Sequence, residues 1–329
     1  MNPSPCKRWR WIGLSVLAVA GLAWWFLPNV PRPRILEHWP AADSGWEPWQ
    51  PVFQGVEYTR ANFSQPRPLK AHAIRVDLAA PGIEVVVNQP TDPGGSTFAA
   101  TYATEHLKRF KFQVVVSGGP FRPTARWAGK RVDPIGIAIS DGIKWSEAVP
   151  NLHALIITPD HRVRLTTDQS DTNNAWQELA GNWIILRGGT NQMEHLAIET
   201  SSVAGHSPDG RLLYWLIVDG HQPGWSEGAT PVETAELLLS LGASDGIRLD
   251  EGSVVTLAME RGRGGARLIN RPSHPYITGV QRPIGSFVGI RARPLGTNFS
   301  KSLPANRVQP FRSSGTSMPV AIRVESGAR

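Results

Sequence analysis

The sequence contains a single cysteine, Cys6, among its 329 residues. One cysteine cannot form a disulfide within the chain, so the folded part must depend on the size of its hydrophobic core for stability. Hydrophobic residues make up 41% of the chain and charged residues 19%, which is ordinary for a folded protein. The composition therefore predicts a globular protein without structural disulfides and excludes a chain that is disordered throughout.

Several motifs that carry cofactor or metal chemistry are absent. The chain has no P-loop, no G-x-G-x-x-G sequence after a predicted strand, no H-E-x-x-H sequence and no repeat of fixed period. Its nine histidines are scattered along the chain. We therefore expect neither a cofactor nor a metal site.

Acidic residues are scarce at both ends of the chain. Residues 1–36 carry a formal charge of +5 and residues 291–329 carry +6, so the segment between them carries −4 of the net +7. A nucleic-acid-binding domain needs a basic surface on its folded part, and this chain has a mildly acidic one. Nucleic acid is therefore not an expected partner, whereas basic ends suit an anionic membrane or envelope polymer.

The N-terminus has the pattern of an export signal. Residues 1–10 include a basic cluster, and residues 11–27 form an apolar run that Pro28 closes. The end of this run is bulky at Trp24, Trp25 and Phe26, where a signal peptidase requires small residues, and this favours an uncleaved anchor over a cleaved signal peptide. We expect a cytoplasmic N-terminal segment, a single transmembrane helix, and a main domain in the periplasm or outside the cell.

The remainder of the chain divides into three parts. Residues 28–55 are rich in proline and tryptophan and predict a linker. Residues 56–293 predict one domain of short strands, beginning with strands at 56–60, 71–78 and 83–88, followed by a helix at 98–110 and a strand at 112–116. Residues 294–329 lack periodicity and predict a disordered basic tail.

The central part of the domain has two short apolar runs that each end in an acid. Residues 214–218 form a strand pattern that Asp219 and Gly220 terminate, and a second strand at 247–249 leads to Asp250. Between them, Thr230 and the residues after it have the capping-box spacing and apolar stripe of a helix. The residues alone leave two interpretations of each acid open, a reaction centre at neighbouring strand ends or a turn-forming residue.

Residues 218–229 read V-D-G-H-Q-P-G-W-S-E-G-A and residues 249–252 read L-D-E-G. These blocks resemble the phosphodiester glycosidase family, and the resemblance extends from about residue 56 to residue 293. It implies a single α+β domain of mainly antiparallel and mixed sheets with helices packed against them. Residues 117–119 lie where the family has an N-G-G sequence.

The resemblance also implies a site. Its candidate catalytic residues are Asp219, Asp250 and Glu227. The candidate substrate-binding residues are Ser117, Gly118, Gly119, His221, Gln222, Trp225, Ser226, Gly252 and Ser253.

The chain departs from the family pattern at several of these positions. Ser117 stands where the family has an asparagine, and Ser201 and His221 stand where the family has arginines. Glu251 and Ser253 stand in place of glycines. Because serine cannot replace the two-pronged guanidinium group at a phosphate, these changes favour a neutral or cationic sugar over a phosphodiester.

Two functions follow from this resemblance. The first is a membrane-anchored hydrolase of a sugar-1-phosphodiester or related glycosidic linkage in envelope polysaccharide. The second is a catalytically degenerate member of the family that binds envelope polysaccharide without hydrolysing it. In both, the partners are a carbohydrate or glycan phosphate and, through the N-terminal helix, the membrane.

Overall fold

A computed structural model describes residues 45–91, 98–194, 197–262, 264–274 and 277–295. The predicted anchor, most of the predicted linker and nearly all of the predicted tail lie outside the described residues. The described residues up to Pro294 belong to one compact unit. Within the described ranges, no helix combines the length and the apolar character that crossing a membrane requires.

The largest element is an eight-stranded antiparallel sheet. In spatial order, its strands are β1 (Gln50–Phe53), β2 (Val56–Phe63), β3 (Leu69–Asp77), β17 (Leu212–Val218), β16 (Ser201–His206), β18 (Asp245–Glu251), β14 (Trp183–Arg187) and β15 (Thr190–Asn191).

Two five-stranded sheets and one three-stranded sheet complete the β-structure. One five-stranded sheet contains, in order, β10 (Ile143–Ser146), β9 (Ala138–Ser140), β13 (Gln177–Gly181), β11 (His153–Ile157) and β12 (Val163–Thr166). The second contains β20 (Ala266–Leu268), β19 (Leu257–Glu260), β6 (Val114–Ser117), β21 (Phe287–Arg291) and β4 (Glu84–Val87). The three-stranded sheet contains β5 (Phe98–Ala99), β8 (Arg131–Pro134) and β7 (Phe121–Arg122).

The described residues contain two α-helices, α1 (Ala103–Phe110) and α2 (Pro231–Ser240), and one 3-10 turn (Gly252–Val254). The structure is therefore α+β with a dominant β component, and the expectation of packed helices overstated the helical content. The predicted helix at 98–110 was wrong over its first part, because Phe98 and Ala99 pair with β8 and the helix begins at Ala103. Tertiary strand pairing overrides local helical preference there.

The folded domain also begins earlier than predicted. β1 pairs with β2, and Trp46 forms an isolated bridge with Ala61, so residues 45–55 belong to the domain and not to a linker. Pro51 is compatible with this strand because β1 lies at the edge of its sheet, where a missing backbone N–H is tolerated.

The eight-stranded sheet separates two cores. Leu216 and Val218 of β17 pack with Leu238 of α2 on one face of this sheet. Trp215 and Ile217 of the same strand face the opposite way, into a core that includes residues of both five-stranded sheets. Side chains alternate along a strand, so the residue that follows Val218 is directed toward the core between the sheets.

The start of α2 confirms the predicted capping box. Thr230 Oγ1 accepts a hydrogen bond from Glu233 N at 3.1 Å, and Glu233 Oε2 accepts one from Thr230 N at 2.8 Å. The same carboxylate oxygen is paired with the buried guanidinium of Arg67. The cap therefore connects the helix to the segment before β3.

We expect Thr230→Ala to lower the free energy of unfolding by about 1 kcal/mol, because the N–H of Glu233 loses its acceptor. In a domain of this size that loss corresponds to a fall of about 2–4 °C in melting temperature, measurable by circular dichroism. Thr230→Ser keeps the hydroxyl and is the matched control. Equal destabilisation by both substitutions would contradict a role for the cap.

Candidate active site

Asp219 follows the last residue of β17 and lies between the sheets. Its backbone N–H donates to Lys70 O at 3.0 Å, which continues the pairing of β17 with β3 by one residue. Its side chain is buried, with 2% of the residue's surface exposed. The strand therefore fixes a carboxylate in a position where water cannot satisfy it.

Three hydrogen-bond contacts satisfy that carboxylate. Asn270 Nδ2 donates to Oδ1 at 3.1 Å, and the backbone N–H of Arg271 lies 3.2 Å from Oδ1 and 3.1 Å from Oδ2. Asn270 also donates to Val255 O at 3.1 Å and accepts from Leu257 N at 2.8 Å. These bonds connect the end of β17 to β19 in the facing sheet.

A histidine and a tyrosine extend this network. His72 Nε2 lies 3.8 Å from Asp219 Oδ2, and His72 Nδ1 is 2.8 Å from the hydroxyl of Tyr58. Burial raises the pKa of Tyr58 well above its ordinary value, so its hydroxyl keeps its proton. With a proton on Nε2, the His72 ring would direct an N–H toward Asp219 and accept a hydrogen bond from the Tyr58 hydroxyl at Nδ1.

Asp250 lies in a different environment on β18. It is half-buried, and its Oδ1 accepts a hydrogen bond from Glu251 N at 2.8 Å. Loss of hydration raises the pKa of Asp250 to about 8; the Glu251 N–H bond and Arg248 lower it, while the Glu251 carboxylate raises it. This raised pKa favours the protonated form of Asp250 near neutral pH, the form that can donate a proton.

Glu251, which stands where the family has glycine, has a partner in the structure. Its carboxylate forms an ion pair with Arg248, whose side chain is buried and lies with its guanidinium carbon 5.0 Å from the centre of the Trp183 ring. Much of the charge that Glu251 adds is consequently balanced locally.

The two acids belong to strands that are separated by one strand. In register, Val218 of β17 pairs with Ser201 of β16, and Ser201 pairs with Glu251 of β18. Neighbouring strands lie about 5 Å apart, so the backbones at the two acids are on the order of 10 Å apart. Ser201, the position of a lost arginine, is buried in this central strand.

The three predicted site segments meet at this end of the sheet. Thr200 Oγ1 donates to Gly252 O at 2.8 Å, and Thr200 also packs closely against Gly220. Ser202 Oγ donates to Ser117 O at 3.1 Å, which brings the residues 117–119 to the same place.

The glycines after Ser117 serve the packing of the chain. Gly118 N donates to Ser286 O at 3.0 Å, and Gly119 N donates to Ser286 Oγ at 2.8 Å. A Cβ on Gly119 would lie 2.1 Å from Ala180 O. Both backbone amides are therefore already satisfied within the protein. Ser117 is buried, with its Oγ accepting from Thr256 N at 3.2 Å.

The loop 219–227 has an internal framework and an exposed surface. Ser226 Oγ donates to Asp219 O at 2.6 Å and accepts from Lys70 N at 2.9 Å, while Gln222 Nε2 donates to Arg271 O at 2.7 Å. Ser226 and Gln222, two of the predicted substrate-binding residues, are buried and hold the loop in place.

His221, Trp225 and Glu227 are the side chains of this loop that retain contact with solvent among those predicted to act. His221 adopts a positive φ of 55° and its Nε2 lies 3.2 Å from Glu199 Oε2. Trp225 is 39% exposed. The half-buried Glu227 donates its backbone N–H to Pro68 O at 2.8 Å.

The turn after Asp250 depends on a glycine conformation. Gly252 has φ = 72°, a region that favours glycine, and the space around its missing Cβ is open. Ser253 Oγ accepts a hydrogen bond from Arg282 Nη1 at 2.7 Å. Arg282 therefore contacts the turn at the edge of the candidate site.

Neither Asp219 nor Asp250 lines either of two cavities in the described part of the chain. One, of about 230 Å³, has Thr91, Glu105 and Arg109 in its lining. The other, of about 550 Å³, has His153, Trp183 and Arg187 in its lining. Among the described residues, no group of three or more His, Cys, Asp or Glu side chains is arranged to hold a metal ion.

Comparisons with known proteins agree with this architecture. The profile of the phosphodiester glycosidase family matches residues 110–291. No curated protein matches the sequence significantly. The fold resembles the catalytic domain of zebrafish N-acetylglucosamine-1-phosphodiester alpha-N-acetylglucosaminidase, auto-inhibited by its pro-peptide, with 20% identity, a TM-score of 0.57, and coverage of 76% of this chain and 89% of that one.

Two further solved structures share the fold at lower identity. A hypothetical protein from Synechocystis is 12% identical with a TM-score of 0.52, over 73% of this chain and 62% of that one. A protein of Burkholderia pseudomallei K96243 described as exported is 11% identical with a TM-score of 0.50, over 68% of this chain and 74% of that one. These two likenesses concern the fold.

The raised pKa of Asp250 predicts a pH-dependent stability. Between an unfolded pKa of about 4 and the folded value, the folded chain holds a proton that the unfolded chain has released, so raising the pH weakens the fold. Asp250→Asn is neutral at every pH. We expect its melting temperature to exceed that of the wild type by a margin that grows from about pH 5 to about pH 8.

Glu178, a second acid whose burial raises its pKa to about 8, is present in both proteins and cancels in this difference. A margin that stays constant across the pH range would show that Asp250 is not protonated in the folded protein.

Proposed function

Because the chain belongs to the phosphodiester glycosidase family, we propose that it hydrolyses a sugar-1-phosphodiester or a related glycosidic linkage of envelope polysaccharide, with Asp219 and Asp250 as its catalytic carboxyl groups. The family assignment rests on a profile match over residues 110–291, more than half of the chain.

The observation that carries this proposal is the unlike environment of two acids at one sheet end. The carboxylate of Asp219 accepts hydrogen bonds from Asn270 Nδ2 and from the backbone N–H of Arg271. Burial raises the pKa of Asp250 to about 8, which favours a carboxyl group that can donate a proton. A proton-donating carboxyl group and a second carboxyl group in a different environment suit acid-catalysed cleavage at an anomeric carbon.

In this mechanism Asp250 donates its proton to the oxygen of the leaving group as the bond to the anomeric carbon breaks. A water molecule attacks the anomeric carbon and forms the new C–O bond, while Asp219 stabilises the positive charge that develops on the sugar ring and accepts the proton that this water loses. Asn270 and the Arg271 N–H fix the orientation of that carboxylate, and His72 Nε2 lies 3.8 Å from its Oδ2. A phosphate leaving group would need little protonation, so Asp250 matters most for a plain glycoside.

The second candidate function is glycan binding without hydrolysis. It is favoured by the burial of Asp219 and by the occupied amides of Gly118 and Gly119, which leave less of the predicted site open to a ligand. In that case the exposed Trp225 and His221 would contact the glycan.

Location is part of the proposal. The basic cluster of residues 7–10 before the apolar run favours a single-pass anchor with the main domain outside the cytoplasmic membrane. Such a domain would meet envelope polysaccharide as its substrate.

We expect Asp219→Asn and Asp250→Asn each to lower turnover by a factor on the order of 10² to 10⁴. Turnover is measured on chromogenic sugar-1-phosphodiester and glycoside substrates. Asp219→Asn also places an amide among N–H donors, so its stability should fall by roughly 1–3 kcal/mol. Assays are therefore run well below its melting temperature.

Asp160 is a turn acid on a different part of the domain, and Asp160→Asn is the matched control. Full activity of Asp219→Asn on any substrate that the wild type cleaves would remove Asp219 from the reaction. A wild type without turnover whose glycan retention is weakened in both variants would support the binding function instead.

The topology can be tested separately. A reporter that is active only in the cytoplasm, fused after Arg329, should be silent if the domain is exported, since the cationic flank keeps the N-terminus inside. A fusion of the same reporter before the apolar run, at residue 10, serves as the positive control. Activity of the C-terminal fusion would contradict the export.

A further inference from the structure

Trp225 lies between two cations at the rim of the candidate site. Lys70 Nζ is 4.4 Å from the centre of the Trp225 ring, and the guanidinium carbon of Arg271 is 4.9 Å from it. Both contacts are within the range of a cation–π interaction. The ring is 39% exposed, so this arrangement is at the surface of the site.

The backbones of Lys70 and Arg271 are both bonded to Asp219. The backbone oxygen of Lys70 accepts from Asp219 N at 3.0 Å, and the backbone N–H of Arg271 donates to the Asp219 carboxylate. The residues come from β3 and from the segment after β20, which are about 200 positions apart in sequence. One buried acid thus joins the two chain segments that carry these positive side chains.

Neither cation forms an ion pair with an acid among the described residues. Lys70 Nζ donates to Asn62 Oδ1 at 2.8 Å, a neutral acceptor. Elsewhere in the domain, arginines stacked on tryptophan are balanced by glutamate: Arg75 over Trp49 pairs with Glu57. The Arg248 and Trp183 pair is balanced by Glu251.

Two like charges on one ring repel, and an anion between them relieves that repulsion. Asp219 attracts the Lys70 ammonium, but its carboxylate is buried and occupied by other donors. The two side chains therefore present positive charge without an ion-pair partner among the described residues, beside a candidate catalytic acid.

We propose that Lys70 and Arg271, held against Trp225, bind the phosphate group of a sugar-phosphate substrate. This rests on the proposed function and deepens it, because it selects the phosphodiester over a neutral glycoside. Arg271 supplies the two-pronged donor geometry that suits phosphate, and Lys70 supplies a point charge. They take over the charge of the arginines that are absent at Ser201 and His221.

The test is a binding measurement that needs no turnover. Isothermal titration calorimetry is performed on the full-length protein with glucose 1-phosphate and with glucose as probes. We expect Lys70→Met and Arg271→Met each to weaken binding of glucose 1-phosphate about tenfold, with little effect on glucose. Arg271→Met keeps the backbone N–H that Asp219 accepts, so it removes only the guanidinium.

Lys130→Met is the matched control, because Lys130 Nζ lies 5.6 Å from the ring centre of another exposed tryptophan, Trp127. It should bind both probes as the wild type does. The proposal is overturned if the wild type does not prefer glucose 1-phosphate, if all three variants bind it alike, or if glucose binding falls equally in Lys70→Met and Arg271→Met.

The measurements distinguish failure of the phosphate site from failure of the proposed hydrolase function. A wild type that binds glucose 1-phosphate through Lys70 and Arg271 but cleaves nothing supports the phosphate site and refutes the hydrolase. A wild type that cleaves a phosphodiester with the same KM in both variants refutes the phosphate site and leaves the hydrolase intact.

Discussion

The buried carboxylate of Asp219 is the constraint on which the candidate site depends. An ionised acid removed from water is costly unless donors replace the lost hydration, and removal of one partner leaves a penalty of several kcal/mol. Asn270 and Arg271 are those donors, and Asn270 also bonds to β19. These hydrogen bonds connect the end of β17 to the facing sheet, and they fix the positions of the loops around Asp219.

The same hydrogen bonds account for the different environments of Asp219 and Asp250. Asp219 receives side-chain and backbone donors from outside its own sheet, whereas Asp250 receives one N–H bond, from the neighbouring Glu251. Crowding without enough donors favours the neutral acid, which is the direction found for the pKa of Asp250. Two strand-end aspartates of one sheet therefore have different chemical capacities.

Local sequence signals predicted the local features well. The capping box at Thr230 and the position of Asp219 at a strand end depend on residues within a few positions of each other. The partners of Asp219 could not be found this way, since His72 lies 147 positions before it and Asn270 lies 51 positions after it. Strand register and sheet packing bring them together, and a single sequence contains no period that reports either. The same limit explains why Phe98 was assigned to a helix.

Departures from the family pattern take on a different meaning once their neighbours are known. Glu251 replaces a glycine of the family pattern and places a carboxylate next to Asp250, and Arg248, three residues earlier, pairs with it. Serine at 201 occupies a buried position in a central strand, where an unpaired arginine would be costly. Positive charge is instead supplied from the rim, next to Trp225. The electrostatic balance of a site belongs to its whole surface, so residue-by-residue comparison with a motif does not by itself give the charge that a ligand would meet.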